Sequence, residues 1–155
     1  MRAKTVLGVG GVVVRDGRVL MVQHNYGELD GCWLLPGGHV QEEENLDAAV
    51  EREVLEETSI RAKALGVVAV RSKLLEEGRL EVYIAFLMEY LEGEPRCEPS
   101  ENQAVAFYTW SELEKIKVAT PLSRTIIQSV LKGECREIKP RSDFRYDSPA
   151  YRLYL

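Results

Sequence analysis

The hydrophobic pattern along the chain predicts five strands. Two runs rich in β-branched residues flank Asp16-Gly17, a dipeptide typical of a hairpin turn. A later run alternates through Leu80, Val82 and Ile84, which places its apolar side chains on one face of a sheet. The predicted strands are residues 5–14, 18–24, 61–71, 79–90 and 104–109.

The same pattern predicts three helices. Residues 46–58 form an amphipathic helix with Asn45 as its N-cap. A short helix begins with Ser111 as its cap, and a third covers about residues 120–132 and stops at Gly133. Because a hairpin, a helix, more strands and further helices follow in that order, we expect a mixed α/β layered fold and not a regular βαβ repeat.

The chain has the size of one domain. Its 155 residues show no internal repeat or linker, so residues 1–155 are predicted to form a single unit. The tail, residues 133–155, has more aromatic surface than disordered segments usually have. We expect it to pack on the domain or on the partner in a homodimer. Its aromatic residues are Phe144, Tyr146, Tyr151 and Tyr154.

The N-terminal segment lacks the features of a signal peptide, and no apolar stretch has the length needed to span a bilayer. The three cysteines, Cys32, Cys97 and Cys135, have neither metal-ligand nor redox spacing, which is typical of reduced thiols. We therefore expect a cytoplasmic protein without a membrane partner.

Negative charge is concentrated in one segment. Residues 41–60 contain eight acidic residues and only Arg52 as a base, so this segment carries a net charge of −7. The whole chain carries −5, so the remaining residues sum to about +2. This distribution argues against a general nucleic-acid-binding surface, and we expect no nucleic-acid partner. It also raises the question of which cation the carboxylates hold.

Three of these acids, Glu53, Glu56 and Glu57, share one arc of the predicted helix beside its apolar face. A Glu-rich face can simply be solvated, but solvated faces interleave basic residues, and here only Arg52 is available. All three acids also lie in the C-terminal half, where the helix dipole disfavours anions. Clustered carboxylates of this kind suit Mg²⁺ or Mn²⁺.

The residues at fixed spacing in this region resemble the Nudix box. They read Gly38-x5-Glu44-x7-Arg52-Glu53-Val54-x-Glu56-Glu57-x-Ser59-Ile60, after a lead-in Trp33-Leu34-Leu35-Pro36-Gly37-Gly38 that is similar to the family's catalytic loop. The resemblance implies a mixed β-sheet sandwiched between helices and a hydrolase that cleaves phosphoanhydride bonds. Ser59 stands where the family usually has Gly, at a position where a left-handed residue with a side chain is strained by about 1 kcal/mol.

The resemblance also implies metal-binding and catalytic roles. Glu53, Glu56 and Glu57, helped by the Gly37 carbonyl, would hold one or more Mg²⁺ or Mn²⁺ ions that bridge the phosphate oxygens of a nucleotide. Arg52 would orient these glutamates as part of the catalytic set.

The implied substrate-binding residues are Gly37, Gly38 and Glu44. The glycines would allow close approach to the backbone, and Glu44 would brace the loop. A nucleoside triphosphate, ADP-ribose and a sugar nucleotide all contain the required bond. Some family members that cleave ADP-ribose carry a proline beyond the box, whereas residues 73–77 contain none, which favours a nucleoside triphosphate.

Two other classes of function fit the same residues. One is a nucleotide-binding sensor or regulator that keeps the fold without turnover, and the other is a Mg²⁺ site that only stabilises the fold. The intact set Glu53, Glu56 and Glu57 favours the enzyme over the sensor. A purely structural ion would leave the glycines of the loop unexplained.

The general base is predicted to be Glu53 or Glu101. Glu53 lies on the acidic arc, but a metal-bound carboxylate is a poor proton acceptor. Glu101 lies in a loop-like stretch before Phe107, which is similar to the placement of the family's loop acid. If Glu101 is the base, Glu101→Gln lowers kcat about 10²–10⁴-fold and leaves Mg²⁺ affinity nearly unchanged. The test is steady-state kinetics of both Gln variants. Glu53 is the base if Glu101→Gln lowers kcat less than about tenfold while Glu53→Gln lowers it severely with metal still bound.

Overall fold

The computed structural model describes residues 4–25, 27–75, 78–98, 100, 102–116, 121–140 and 154. The strands in these ranges are β1 (Thr5–Arg15), β2 (Arg18–His24), β3 (Trp33–Leu34), β4 (Gly37–His39), β5 (Arg61–Leu74), β6 (Leu80–Glu92) and β7 (Asn102–Tyr108). The helices are α1 (Leu46–Thr58), α2 (Trp110–Leu113) and α3 (Pro121–Leu131), and a 3₁₀ turn covers Gly27–Leu29. Within the described ranges, no helix is long and apolar enough to cross a membrane.

The strands form one mixed sheet. Its main order is β3-β2-β1-β6-β5, while β4 pairs with β1 and β7 pairs with β2 outside this path. β1 and β6 are parallel, and the other pairs are antiparallel. The hairpin between β1 and β2 turns at Asp16 and Gly17, whose φ angles of 51° and 72° suit the predicted tight turn. One parallel pair among antiparallel ones makes this the mixed sheet that the sequence predicts.

Helices cover both faces of the sheet. Val50 of α1 and Phe86 of β6 belong to one buried cluster. Leu113 of α2, Ile127 of α3 and Ala85 of β6 belong to the other. Ala85 and Phe86 are neighbours in sequence and serve opposite clusters, because successive side chains of a strand point to opposite faces. The sheet is therefore sandwiched between α1 and the pair α2 and α3, and each fully buried aliphatic side chain contributes roughly 1.5–3 kcal/mol.

Two local expectations were wrong. The cap of α2 is Thr109 and not Ser111: the Thr109 side chain accepts the Glu112 N–H, and the Glu112 carboxylate accepts the Thr109 N–H at 2.7 Å. This reciprocal capping box satisfies two backbone donors, whereas Ser111 lies inside the first turn. Gly37–His39 form strand β4 where a loop was expected, because they pair with residues 8–10 of β1.

Helix α1 has the predicted bounds. Asn45 has the extended conformation of an N-cap, although its side chain makes no capping hydrogen bond. Ser59 closes the helix in the left-handed region, with φ 60° and ψ 15°, and its N–H donates to the Leu55 carbonyl oxygen at 2.9 Å. The expected conformation at Ser59 is therefore present, and a side chain there carries strain of about 1–2 kcal/mol.

The described part of the tail contacts the sheet. Ile138 forms an antiparallel bridge with Val67 of β5, through two backbone hydrogen bonds of 2.9 Å. Pro140 bridges Tyr154, whose ring packs edge-on against Phe86 with 5.8 Å between the ring centres. The other aromatic residues of the tail lie outside the described residues: Phe144, Tyr146 and Tyr151.

We expect Ser59→Gly to raise the free energy of unfolding by up to about 1 kcal/mol, because glycine adopts the left-handed conformation without strain and Ser59 is exposed. Urea unfolding followed by circular dichroism measures this change. The matched control is Ser129→Gly within α3, where glycine lowers helix stability by about 0.5 kcal/mol. Equal losses in the two variants would contradict strain at Ser59.

Candidate functional site

The three glutamates of α1 differ in burial. Glu57 is 8% exposed, whereas the side chains of Glu53 and Glu56 are 15% and 52% exposed. The arc predicted beside the apolar face therefore runs from the core to the solvent. Glu57 and Glu53 lie on its protected side, next to β4.

Arg52 connects these acids to the segment before the helix. Its Nη1 donates to Glu53 at 2.8 Å and to Glu56 at 3.0 Å. Its Nε and Nη2 donate to the two carboxylate oxygens of Glu44 at 3.0 and 2.7 Å, and Nη2 also donates to the His39 carbonyl oxygen at 3.2 Å. Hydrogen bonding to Glu44, then to the other acids, raises the pKa of Arg52 further above its ordinary value. The same contact with Arg52 lowers the pKa of Glu44.

Strand β4 lies against the acids because it begins with two glycines. The Gly37 N–H donates to a carboxylate oxygen of Glu57 at 2.8 Å. A Cβ on Gly38 would lie 2.5 Å from the carboxyl carbon of Glu53, and a Cβ on Gly37 would overlap the Val9 carbonyl oxygen of β1. The missing side chains let the backbone approach both the helix and the sheet.

A cleft of about 320 Å³ opens between β4 and α1. Glu53 and Glu57 line it from the helix, and Ser100 lines it from the segment before β7. Asn102, only 2% exposed, donates from its side-chain amide to the Glu57 carbonyl oxygen at 2.9 Å. The cleft therefore includes Glu53 and Glu57, the glycine strand and Ser100 before β7, and Asn102 ties the beginning of β7 to the helix.

Ser100 and Asn102 were not predicted as site residues from the sequence. A polar residue at the start of a strand carries no spacing signal of its own, and its partner, Glu57, is distant in sequence. Glu101, the predicted alternative base, lies outside the described residues.

The predicted metal ligands do not form a closed set in this arrangement. Glu53 and Glu56 bond to Arg52, and Glu57 bonds to Gly37. Among the described residues, no three Asp, Glu, His or Cys side chains are arranged to hold an ion. The donors nevertheless fit a hard divalent cation, because they are carboxylate oxygens and Glu53 and Glu57 share one cleft.

Comparisons with known proteins show which family the chain resembles. The NUDIX domain model matches residues 4–130. An ADP-ribose pyrophosphatase from Methanocaldococcus jannaschii is 29% identical over 111 residues, which are 71% of this chain and 65% of that protein. A NAD-capped RNA hydrolase NudC from Photorhabdus laumondii is 30% identical over 117 residues, 76% of this chain and 44% of that protein. The crystal structure of a MutT NUDIX hydrolase from Burkholderia pseudomallei has a TM-score of 0.72 and 30% identity, covering 82% of this chain and 98% of that chain.

The chain therefore belongs to the NUDIX family. The predicted family, the hydrolase class that it defines and the mixed α/β fold are confirmed by these matches. Members of this family generally use divalent metal ions. The chain spans about half the length of the NudC protein and about two thirds of the ADP-ribose pyrophosphatase, so the activities in those names belong to those proteins.

We expect Glu44→Ala to lower the free energy of unfolding at neutral pH by about 1–3 kcal/mol, because it removes the nearest partner of a shielded guanidinium. The folded-state pKa of Glu44 is depressed, so its stabilisation is complete above the ordinary carboxyl pKa. This stabilisation is lost as the pH falls below about 4 and then through the depressed pKa of Glu44.

The test is urea unfolding of wild type and variant between about pH 7 and about pH 3. The difference between the two proteins should shrink on acidification. Glu42→Ala, at an exposed acid of the same segment, is the control and should change little at any pH. A difference for Glu44→Ala that stays constant with pH would contradict the ionic role of Glu44.

Proposed function

We propose that the chain hydrolyses a phosphoanhydride bond in a nucleoside diphosphate linked to another moiety, with Mg²⁺ or Mn²⁺ as cofactor. The observation that carries this proposal is the cleft in which Glu53 and Glu57 face the glycine strand β4. The glycines leave the backbone open to phosphate oxygens, and the carboxylates provide the negative charge that binds the ion.

The proposed ligands are Glu53, Glu56, Glu57 and the Gly37 carbonyl. A divalent cation held there would neutralise phosphate oxygens and activate a water molecule. Arg52 acts on the other side of the carboxylates, where it fixes the orientation of Glu53 and Glu56. Arg52 contacts Oε1 of Glu53 and Oε2 of Glu56, so the second oxygen of each carboxylate can bind an ion. Glu44 and the His39 carbonyl oxygen keep the guanidinium in place.

Two glutamates remain candidates for the general base. Glu53 lines the cleft but is also a proposed metal ligand. Support for Glu101 comes from its two sequence neighbours: Ser100 lines the same cleft, and Asn102 bonds to the backbone of Glu57. A base from this segment would leave all three helix carboxylates free for metal.

The proposed substrates are a nucleoside triphosphate, ADP-ribose or a sugar nucleotide. ADP-ribose and NAD, which appear in the names of the two relatives, each contain a nucleoside diphosphate linked to a further moiety. The names of these relatives support a diphosphate ester, whereas the missing proline in residues 73–77 favours a nucleoside triphosphate, so both classes belong in the first test. A panel of nucleotides with product identification distinguishes turnover from binding without turnover, which the sensor alternative requires.

We propose a single domain with the tail packed on it, supported by the contacts of Ile138 with Val67 and of Tyr154 with Phe86. A homodimer in which the tail contacts the partner is the alternative. The three cysteines are free thiols, which supports a reducing compartment such as the cytoplasm.

We expect the double variant Glu56→Gln, Glu57→Gln to lose Mg²⁺-dependent hydrolysis while it keeps the fold. An amide oxygen can still accept the hydrogen bonds from Arg52 and from the Gly37 N–H, but it binds Mg²⁺ far less well than a carboxylate. The measurements are product release from the nucleotide panel, Mg²⁺ binding by calorimetry and thermal unfolding.

Glu42→Gln is the matched control, because it removes one exposed acid from the same segment outside the proposed ligand set. It should retain both turnover and Mg²⁺ affinity. Hydrolysis by the double variant at the wild-type rate would show that the metal site is assigned to the wrong residues. Nucleotide binding by wild type without any product would favour the sensor.

A further inference from the structure

A second cleft lies beside the acidic one. It has a volume of about 370 Å³ and shares Gly37, Gly38 and His39 with the first, so one ligand can extend from the acids into it. The size is within the range of about 300–1,000 Å³ of small-molecule sites. Apolar side chains that line it include Leu29, Leu34 and Leu122.

Polar side chains from β5 and β6 line the same cleft. Arg71 is the direct cross-strand partner of Tyr83, and Glu81 lies two residues before Tyr83 on the same face of β6. The Arg71 guanidinium donates to Glu81 at 2.6 Å, and its central carbon is 5.8 Å from the centre of the Tyr83 ring. Glu81 and Tyr83 thus hold the Arg71 guanidinium in a fixed orientation.

Another ion pair on the same two strands provides a contrast. Arg61 and Glu92 are 3.3 Å apart, and their side chains are 64% and 71% exposed. Such exposed pairs contribute little, because water and side-chain motion compete with them. Arg71 and Glu81 are only 27% and 28% exposed and border a cleft, so their hydrogen-bonding groups are already oriented for a ligand.

Charge in the second cleft is balanced. The Arg71 guanidinium lowers the pKa of Glu81, so the Glu81 carboxylate stays ionised at neutral pH and offsets the charge of the guanidinium. His24 also lines this cleft, and burial lowers its pKa, so it is uncharged at neutral pH. A balanced site offers hydrogen bonds but little attraction for a further phosphate.

Tyr83 connects these groups to the acidic cleft. Its hydroxyl occupies the space that a Cβ on Gly10 would need, and Gly10 pairs with Gly37 of β4. Burial raises the pKa of Tyr83 to about 12, so the hydroxyl remains protonated at neutral pH and can donate a hydrogen bond.

We propose that Arg71, Glu81 and Tyr83 select the part of the substrate beyond the scissile phosphates, and that this part is an uncharged polar ring with neighbouring hydrogen-bond donors and acceptors. The guanidinium donates, the carboxylate accepts, and the hydroxyl does either. A nucleobase and a sugar both offer such an edge. The inference rests on the proposed hydrolytic function, because it takes the acidic cleft as the phosphate site.

The first test is Arg71→Ala against the control Arg61→Ala. With the best substrate in Mg²⁺, Arg71→Ala should raise KM roughly 10–100-fold, as expected for the loss of a charge-assisted hydrogen bond. kcat should stay within about threefold, because the chemistry takes place in the other cleft. Arg61→Ala should leave both constants unchanged. A KM for Arg71→Ala equal to that of Arg61→Ala would overturn the inference, even if thermal stability falls.

The second test is Glu81→Gln, a conservative change that guards against misfolding in Arg71→Ala. It keeps the shape of the side chain but replaces the carboxylate acceptor by an amide. The KM for the best substrate should rise about tenfold, and kcat should stay within about threefold, because the chemistry takes place in the other cleft. A KM equal to that of wild type would overturn the proposal, even if thermal stability falls.

Comparing substrates that differ only in the base or only in the sugar shows which ring Arg71 contacts. If the KM penalty of Arg71→Ala differs between ADP-, GDP- and UDP-linked sugars, the base is contacted; if it differs between ADP-ribose and ADP-glucose, the sugar is contacted. An equal increase in KM for every compound would mean that Arg71 contacts a phosphate and would overturn the proposal.

If wild type hydrolyses none of these compounds, the proposed function fails. Calorimetric titration of the same compounds in Mg²⁺ then tests the inference by itself. Weaker binding by Arg71→Ala than by Arg61→Ala supports the inference, and equal or absent binding overturns it.

Discussion

The hydrogen bonds of Arg52 are the interaction on which the site depends. One guanidinium bonds to three carboxylates and to the His39 carbonyl oxygen, and it is the only base in a segment of net charge −7. Without it, the acids of α1 would repel one another and the segment around Glu44 would lose its connection to the helix. Because Glu44 also accepts the Gln41 N–H at 2.7 Å, the guanidinium fixes the loop, the strand β4 and the helix together.

This arrangement balances two uses of the same carboxylates. In the protein alone, Glu53 and Glu56 neutralise Arg52; in the proposed active state they bind a cation as well. Arg52 can keep its position in both states, because Glu44 and the His39 carbonyl oxygen also accept its hydrogen bonds. The glycines of β4 complete the site by bringing a backbone without side chains to the edge of both clefts. The acidic cleft suits phosphates with metal, and the neighbouring cleft suits a polar ring.

Local features of the fold were predictable from the sequence, and long-range contacts were not. The bounds of α1 and the first hairpin follow from spacing, Asp16-Gly17 and the hydrophobic period, and the left-handed Ser59 follows from its place after the helix. Thr109 was also recoverable, because a threonine three residues before Glu112 is a capping-box signature. The parallel pairing of β1 with β6, the contact of Asn102 with Glu57 and the position of Arg71 beside Tyr83 depend on strand register, which links residues far apart in sequence.

The most direct measurement is a crystal structure of the protein with Mn²⁺ and a non-hydrolysable nucleoside diphosphate analogue, with anomalous scattering used to locate the metal. The account predicts an ion within about 2.0–2.6 Å of carboxylate oxygens of Glu57 and of Glu53 or Glu56. It also predicts that Arg52 retains Glu44 and that the diphosphate lies against Gly37 and Gly38. An ion bound elsewhere, or a diphosphate bound away from these glycines with the acidic cleft free of metal, would contradict the account.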